Sequence, residues 1–185
     1  MQSSQIFNEL QKLRQIRCDH LVHFNNVWFE ANDVICIQMK YFEHNLIAFM
    51  LNKSLAFQRK VFRQMTSIEF CITLETYRQI IEGINFLHNL KPPIIHRNLK
   101  TKNIFIDPND AKNFIKISDF GFHKFIDWGL TPKSLIKEPS NIMFPRTQTI
   151  VENDSMIQKQ SFGLKTDIYC LAIIGEQLFE FGMFS

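Results

Sequence analysis

The sequence predicts an α+β fold, mainly helical in its second half, and three patterns point to it. Leu74, Tyr77, Ile80, Ile81, Ile84 and Leu87 recur every three or four residues, as one face of a long helix does. Val34-Ile35-Cys36-Ile37-Gln38-Met39 is an apolar run of strand length. Ile104-Phe105-Ile106 and Phe114-Ile115-Lys116-Ile117 flank the turn-forming Asp107-Pro108-Asn109-Asp110, which is a hairpin pattern. With 45% hydrophobic and 21% charged residues, the 185-residue chain has an ordinary globular balance and enough apolar material for one core.

From the amino end, Ile6, Leu10, Leu13 and Ile16 have helical spacing across residues 5–17, with Ser4 as the candidate cap. Asp19 to Phe24 and Val27 to Glu30 read as a turn and strand, and Val34 to Met39 as a buried strand running into Lys40-Tyr41-Phe42. Between Glu43 and Phe70 the pattern is poor and the basic stretch from Lys53 to Arg63 lacks turn residues, so this segment is assigned no regular element. Lys91-Pro92-Pro93 stops the long helix, because proline cannot continue the helical hydrogen bonds. Asp167 to Gly175 is apolar nearly all round, which predicts a helix buried on every side.

The chemistry is concentrated between the long helix and the hairpin. Asn103 and Asp119 are oxygen donors of the kind Mg²⁺ prefers, and the hairpin brings both to one end. Lys100 places a cation nearby. Metal ligands and a cation on short turns suit phosphoryl transfer, which demands mainly positioning and charge neutralisation. Alone, Asp119-Phe120-Gly121 would be an ordinary turn. Preceded in order by His96-Arg97-Asn98-Leu99-Lys100-Thr101-Lys102-Asn103, it is a specific signature.

These residues resemble the catalytic loop and metal-binding loop of the protein kinase superfamily, H-R-D-L-x-x-x-N and D-F-G. The resemblance implies a protein kinase-like fold, with Asn103 and Asp119 holding Mg²⁺, Lys100 binding the γ-phosphate, and Mg-ATP as cofactor. It makes Met39 the gatekeeper, Lys40-Tyr41-Phe42 the hinge, and Glu9 the ion-pairing glutamate of the small lobe's regulatory helix. It further implies that Asp167 anchors the catalytic-loop backbone and that Leu13, His96 and Phe120 form one spine. One position departs from the pattern: Asn98 stands where the family has the aspartate that accepts the substrate hydroxyl's proton, and an amide has no basic lone pair at neutral pH.

The resembled domain is longer, so a partial domain is expected: residues 1–42 as small-lobe remnant and hinge, 43–70 as an insert-bearing connection, and 71–185 as a C-terminal lobe truncated at its central helix. No G-x-G-x-x-G precedes Glu9 and no V-A-I-K lysine is present to pair with it. After Gly121 the activation segment is degraded, with Ile150-Val151-Glu152 the nearest match to A-P-E. Thr131, Ser134, Ser140, Thr147 and Thr149 are hydroxyls there which, if phosphorylated, could pair with Arg97. Asn26-Val27-Trp28-Phe29-Glu30, Ile35 to Tyr41 and Thr166 to Leu171 look like the kinases of translation initiation factor 2 alpha. Pro92-Pro93-Ile94-Ile95-His96 is more similar to the with-no-lysine kinases and their pseudokinase relatives, the second choice.

A net charge of +3 is too small to indicate nucleic acid or an acidic membrane surface. Cys18, Cys36, Cys71 and Cys170 lie in apolar segments without C-x-x-C spacing and read as buried reduced thiols. Gln2-Ser3-Ser4-Gln5 do not resemble a secretory leader, and the apolar stretch from Ile168 to Phe184 is too short for a membrane span, so a cytoplasmic location is the default expectation. Two functions follow from the resemblance. One is a pseudokinase or fragment acting through a protein partner, with weak or absent Mg-ATP binding. The other is a fragment of an active serine/threonine kinase with a protein substrate. The sequence assigns no oligomeric state.

Overall fold

The computed structural model describes residues 2–30, 34–58, 64–122 and 156–180. Helix α1 (Gln2–Gln15) leads into the antiparallel pair β1 (Phe24–Glu30) and β2 (Val34–Met39). The short β3 (His44–Asn45) runs into α2 (Leu46–Ala56), and then comes α3 (Ser67–Asn89). A 3-10 turn (Thr101–Asn103), β4 (Ile104–Ile106), β5 (Ile115–Ile117) and α4 (Met156–Phe179) complete the described elements. β3, β4 and β5 form one antiparallel sheet in that order.

α1 buries Ile6, Leu10 and Leu13 along one stripe, with Lys12 and Arg14 in its last turn where cations suit the helix dipole. It begins at Gln2, so Ser4 is inside the helix and not its cap. Thr66 caps α3 by accepting the Glu69 N–H at 3.2 Å, and α3 ends ahead of Lys91-Pro92-Pro93 as expected. Its buried face is Thr73, Thr76, Ile80, Gly83, Ile84 and Leu87, while Leu74 and Ile81 are exposed. A Cβ at Gly83 would lie 2.7 Å from Ile117 Cδ1 and 3.2 Å from His20 Cβ, so α3 rests directly on β5 and the turn after α1.

Residues 43–70, given no element from sequence, carry β3, α2 and the start of α3. Asn45 caps α2 by accepting the Ala48 N–H at 3.1 Å. The pattern is misleading because α2 inverts the usual rule. Lys53 is only 6% exposed, its ammonium 2.5 Å from Thr73 Oγ1, whereas Leu51 and Leu55 are 63% and 74% exposed.

α4 packs Cys170, Leu171, Ile174 and Leu178 into the common core with α3. Tyr77 ties the two helices, donating to the Leu171 carbonyl at 3.1 Å. The expectation of burial on every side is corrected, since Ile168 and Tyr169 on the opposite face are about half exposed. Cys71 is exposed as well, so the cysteines are not all buried; all four are free thiols. No described helix is long and apolar enough to cross a membrane.

Candidate functional site

The loop from Ile94 to Lys100 has no strand partner, so its backbone N–H groups need other acceptors. Asp167, buried in α4, supplies two: Oδ2 accepts from His96 N and Oδ1 from Arg97 N, each at 2.8 Å. His88, in the last turn of α3, adds a third bond from Nε2 to Oδ2 at 2.8 Å. A buried carboxylate is tolerated when it is this fully hydrogen-bonded. The bonds hold Arg97 at φ +60°, a conformation that a residue with a Cβ rarely adopts.

His96 is buried, and its Nδ1 accepts the Asn98 N–H at 3.3 Å, which puts the neutral ring's proton on Nε2. Burial pushes its pKa down, against the opposing pull of the Asp167 and Asp119 carboxylates. Asn103 knits the loop together. Its N–H donates to the Lys100 carbonyl at 2.9 Å and its Nδ2 to the Asn98 carbonyl at 3.0 Å. Its carbonyl accepts the Ser118 N–H at 2.9 Å, so the hairpin sets Asn103 beside the residue preceding Asp119, as the turn at Asp107-Pro108-Asn109-Asp110 predicts.

Asp119 has φ +62° and Gly121 φ +76°. At Gly121 a Cβ would lie 2.9 Å from Leu13 Cδ2, so α1 closes directly over this turn. Burial pushes the Asp119 carboxyl up; His96, Ser118 and the Lys100 ammonium only partly offset it. A carboxylate so incompletely neutralised by its own protein is suited to a cation. With the Asn103 Nδ2 turned to Asn98, its Oδ1 is the atom that could join Asp119 at a metal. Among the described residues no three His, Cys, Asp or Glu side chains converge, so the remaining ligands of a Mg²⁺ ion would be substrate phosphates and water.

The loop thus gathers His96, Arg97, Asn98, Lys100 and Asn103, with Asp119 across the hairpin. Met39, at the end of β2, pairs in register with Phe24. The Phe24 ring stacks on Phe120 at 5.4 Å and 9°. Leu13, Phe24 and Phe120 share one core, and the stacking of Phe24 on Phe120 is a contact the sequence does not single out. Glu9 sits on α1 and pairs with Lys12 at 2.8 Å. His88 also escapes sequence reasoning, since 79 residues separate it from Asp167 and only a lone histidine at a helix end hints at it. Thr131, Ser134, Ser140, Thr147, Thr149 and Ile150-Val151-Glu152 lie outside the described residues.

A family model, the protein kinase domain, matches residues 1–181. The chain belongs to the protein kinase family. Within that family it is 40% identical over 100 residues to the receptor-interacting serine/threonine-protein kinase 2 of Bos taurus, covering 52% of this chain and 17% of that kinase. It is 27% identical over 167 residues to the serine/threonine-protein kinase pkpA of Phycomyces blakesleeanus, covering 90% and 23%. Over 168 residues it is 27% identical to the probable serine/threonine-protein kinase WNK10 of Arabidopsis thaliana, covering 88% and 28%. The matched part of this kinase chain therefore spans less than a third of each of these relatives. Protein kinases use Mg-ATP and act on protein substrates, and the oxygen donors of Asn103 and Asp119 fit that cofactor in kind.

Proposed function

We propose that this chain is a serine/threonine-kinase-like domain whose phosphoryl transfer is impaired at Asn98 and which acts through binding another protein. The supporting observation is a loop that keeps its scaffold and lacks its base. Asp167 and His88 hold the backbone at His96 and Arg97, yet the side chain at the proton-accepting position is the Asn98 amide. Asn103 and Asp119 would hold Mg²⁺, and Lys100 would add positive charge beside the phosphates. Bound Mg-ATP would supply the transferred phosphoryl group. Asn98 can orient a hydroxyl by hydrogen bonding but cannot take its proton, which lowers the rate by about 10²–10⁴. Residues 1–42 serve in this proposal as the small-lobe part and 71–185 as the large lobe, with Met39 and Glu9 on the nucleotide side and the whole acting in the cytoplasm.

A second reading is a portion of an active kinase, favoured by the intact loop anchor and the retained metal donors. Its target would be a protein such as translation initiation factor 2 alpha, following the resemblance of Asn26 to Glu30 and Ile35 to Tyr41. Similarity to WNK10 supports the with-no-lysine group as the other candidate branch. Radiolabelled phosphate transfer to a generic serine/threonine substrate separates the readings, with Asp119→Ala as background. The 185-residue chain is expected to show no transfer above that background. With a glycine-rich loop and lysine strand grafted ahead of Glu9, Asn98→Asp is expected to raise transfer by about 10²–10⁴. Asp119-dependent transfer by the unmodified chain would overturn the pseudokinase proposal, as would micromolar Mg-ATP affinity in calorimetry that Asp119→Ala abolishes.

A further inference from the structure

The segment carrying β1 and β2 is fastened to the β4–β5 hairpin at two places of different physical character. At the first, the turn after α1 bonds to β5 through its backbone: Ile117 N donates to the His20 carbonyl at 2.8 Å and Val22 N to the Ile117 carbonyl at 2.9 Å. Leu21, Val22 and Ile117 are buried, and the Phe24 ring lies on Phe120 beside them. Opening this junction would strand buried N–H groups, so it is durable. At the second, Lys40 Nζ meets Asp107 Oδ2 at 2.5 Å, just past the end of β4. Phe42 stacks on Phe105 at 5.7 Å, and β3 pairs His44 with Ile106 and Asn45 with Phe105. The Lys40 side chain is 52% exposed and that of Asp107 only 7%, so the lysine can leave for water while the carboxylate stays in place.

We propose that Lys40 and Asp107 form a charge-controlled latch, holding the β1–β2 sheet on the β4–β5 hairpin about a pivot at the Leu21–Ile117 bridge. With both junctions made, the sheet has one orientation to the hairpin that carries Asn103 and Asp119. With the latch open it can turn about the pivot. Asp107 is preset for the role, since the Asn109 N–H donates to its Oδ1 at 3.1 Å, the oxygen that Lys40 does not use. Burial alone would raise the Asp107 carboxyl, but Lys40 and the Asn109 N–H outweigh it, so the carboxyl lies below its ordinary range and is charged at neutral pH.

The test is amide hydrogen exchange at pH 7, which requires neither nucleotide nor catalysis, so its outcome is independent of the proposed function. Asp107→Asn keeps the turn acceptor without the charge, and Lys40→Met keeps the stem beside Phe42. Each variant should speed exchange of the His44–Asn45 and Phe105–Ile106 amides by about threefold or more. The double variant should match the singles, Lys40→Arg should restore protection, and 1 M salt should bring the wild type toward the variants, since the Debye length falls to about 3 Å there. Val22 and Ile117 should keep their protection throughout. Unchanged exchange at 44–45 and 105–106, additive effects in the double variant, or equal acceleration at Val22 and Ile117 would each overturn the latch.

Discussion

Asp119 and His96 are both moved by burial toward their neutral forms, and the consequences for stability run in opposite directions along the pH axis. The Asp119 carboxyl is raised in the folded chain, so the unfolded chain ionises first as pH climbs past about 3.8 and the native state carries a cost at neutral pH. Asp119→Asn should therefore raise the melting temperature, by about 2–4 °C for each kcal/mol recovered. His96 is lowered, so the unfolded chain binds the proton first as pH falls below about 6.5 and stability drops there. Melting curves between pH 7.5 and 5.5 should show that loss, and it should shrink in His96→Asn. Asp167→Ala would leave the His96 and Arg97 N–H groups and His88 without their acceptor. It should cost about 2–5 kcal/mol in chemical denaturation, the range set by more than one unsatisfied buried donor. At this scale the sequence is readable where residue types recur at fixed spacing: His96, Asn103, Asp119 and Asp167 announce themselves. Ser4 misleads because nothing local distinguishes a cap from a serine in the first turns.

Between elements, what the sequence reveals depends on whether a contact obeys the hydrophobic pattern. The hairpin is legible because its turn residues sit between two apolar runs. α2 is not, because a lysine takes a buried position and leucines take exposed ones. Gln79 is equally hidden, a polar residue in the middle of an apolar helix stripe. Its Nε2 donates to the Lys112 carbonyl at 3.0 Å and its Oε1 accepts the Ile115 N–H at 3.1 Å, pinning the hairpin on α3. Gln79→Leu should cost about 2–4 kcal/mol by stranding those two backbone groups, and Gln79→Glu should restore only the Ile115 bond. Gly83→Ala should also destabilise, by about 1 kcal/mol net. The crowding of Ile117 and His20, worth about 1–3 kcal/mol, exceeds the roughly 1 kcal/mol that alanine gains in helix propensity.

For the molecule as a whole, the loop motifs suffice to indicate the family, and its domain model extends across residues 1–181. The exposed side of α4 is not foreseeable, since an apolar helix looks the same in sequence whether one face or all of them are covered. The placement of Asp167 also has a temporal side. The two loop amides it accepts from lie 71 and 70 positions earlier in the chain. At a synthesis rate of about 5–20 residues per second, that separation corresponds to roughly 4–14 s during which a nascent loop has emerged without its anchor. Ribosome-bound chains arrested before Gly163 has left the exit tunnel should be cut by trypsin at Arg97 at least about tenfold faster than chains in which α4 is fully exposed, the factor expected when opening costs fall by 1.4 kcal/mol or more. The loop on which the proposed chemistry rests is thus fixed only after its anchor has been made 71 and 70 positions later, and its exposure to proteases and chaperones is set by how quickly the ribosome delivers a helix encoded far downstream.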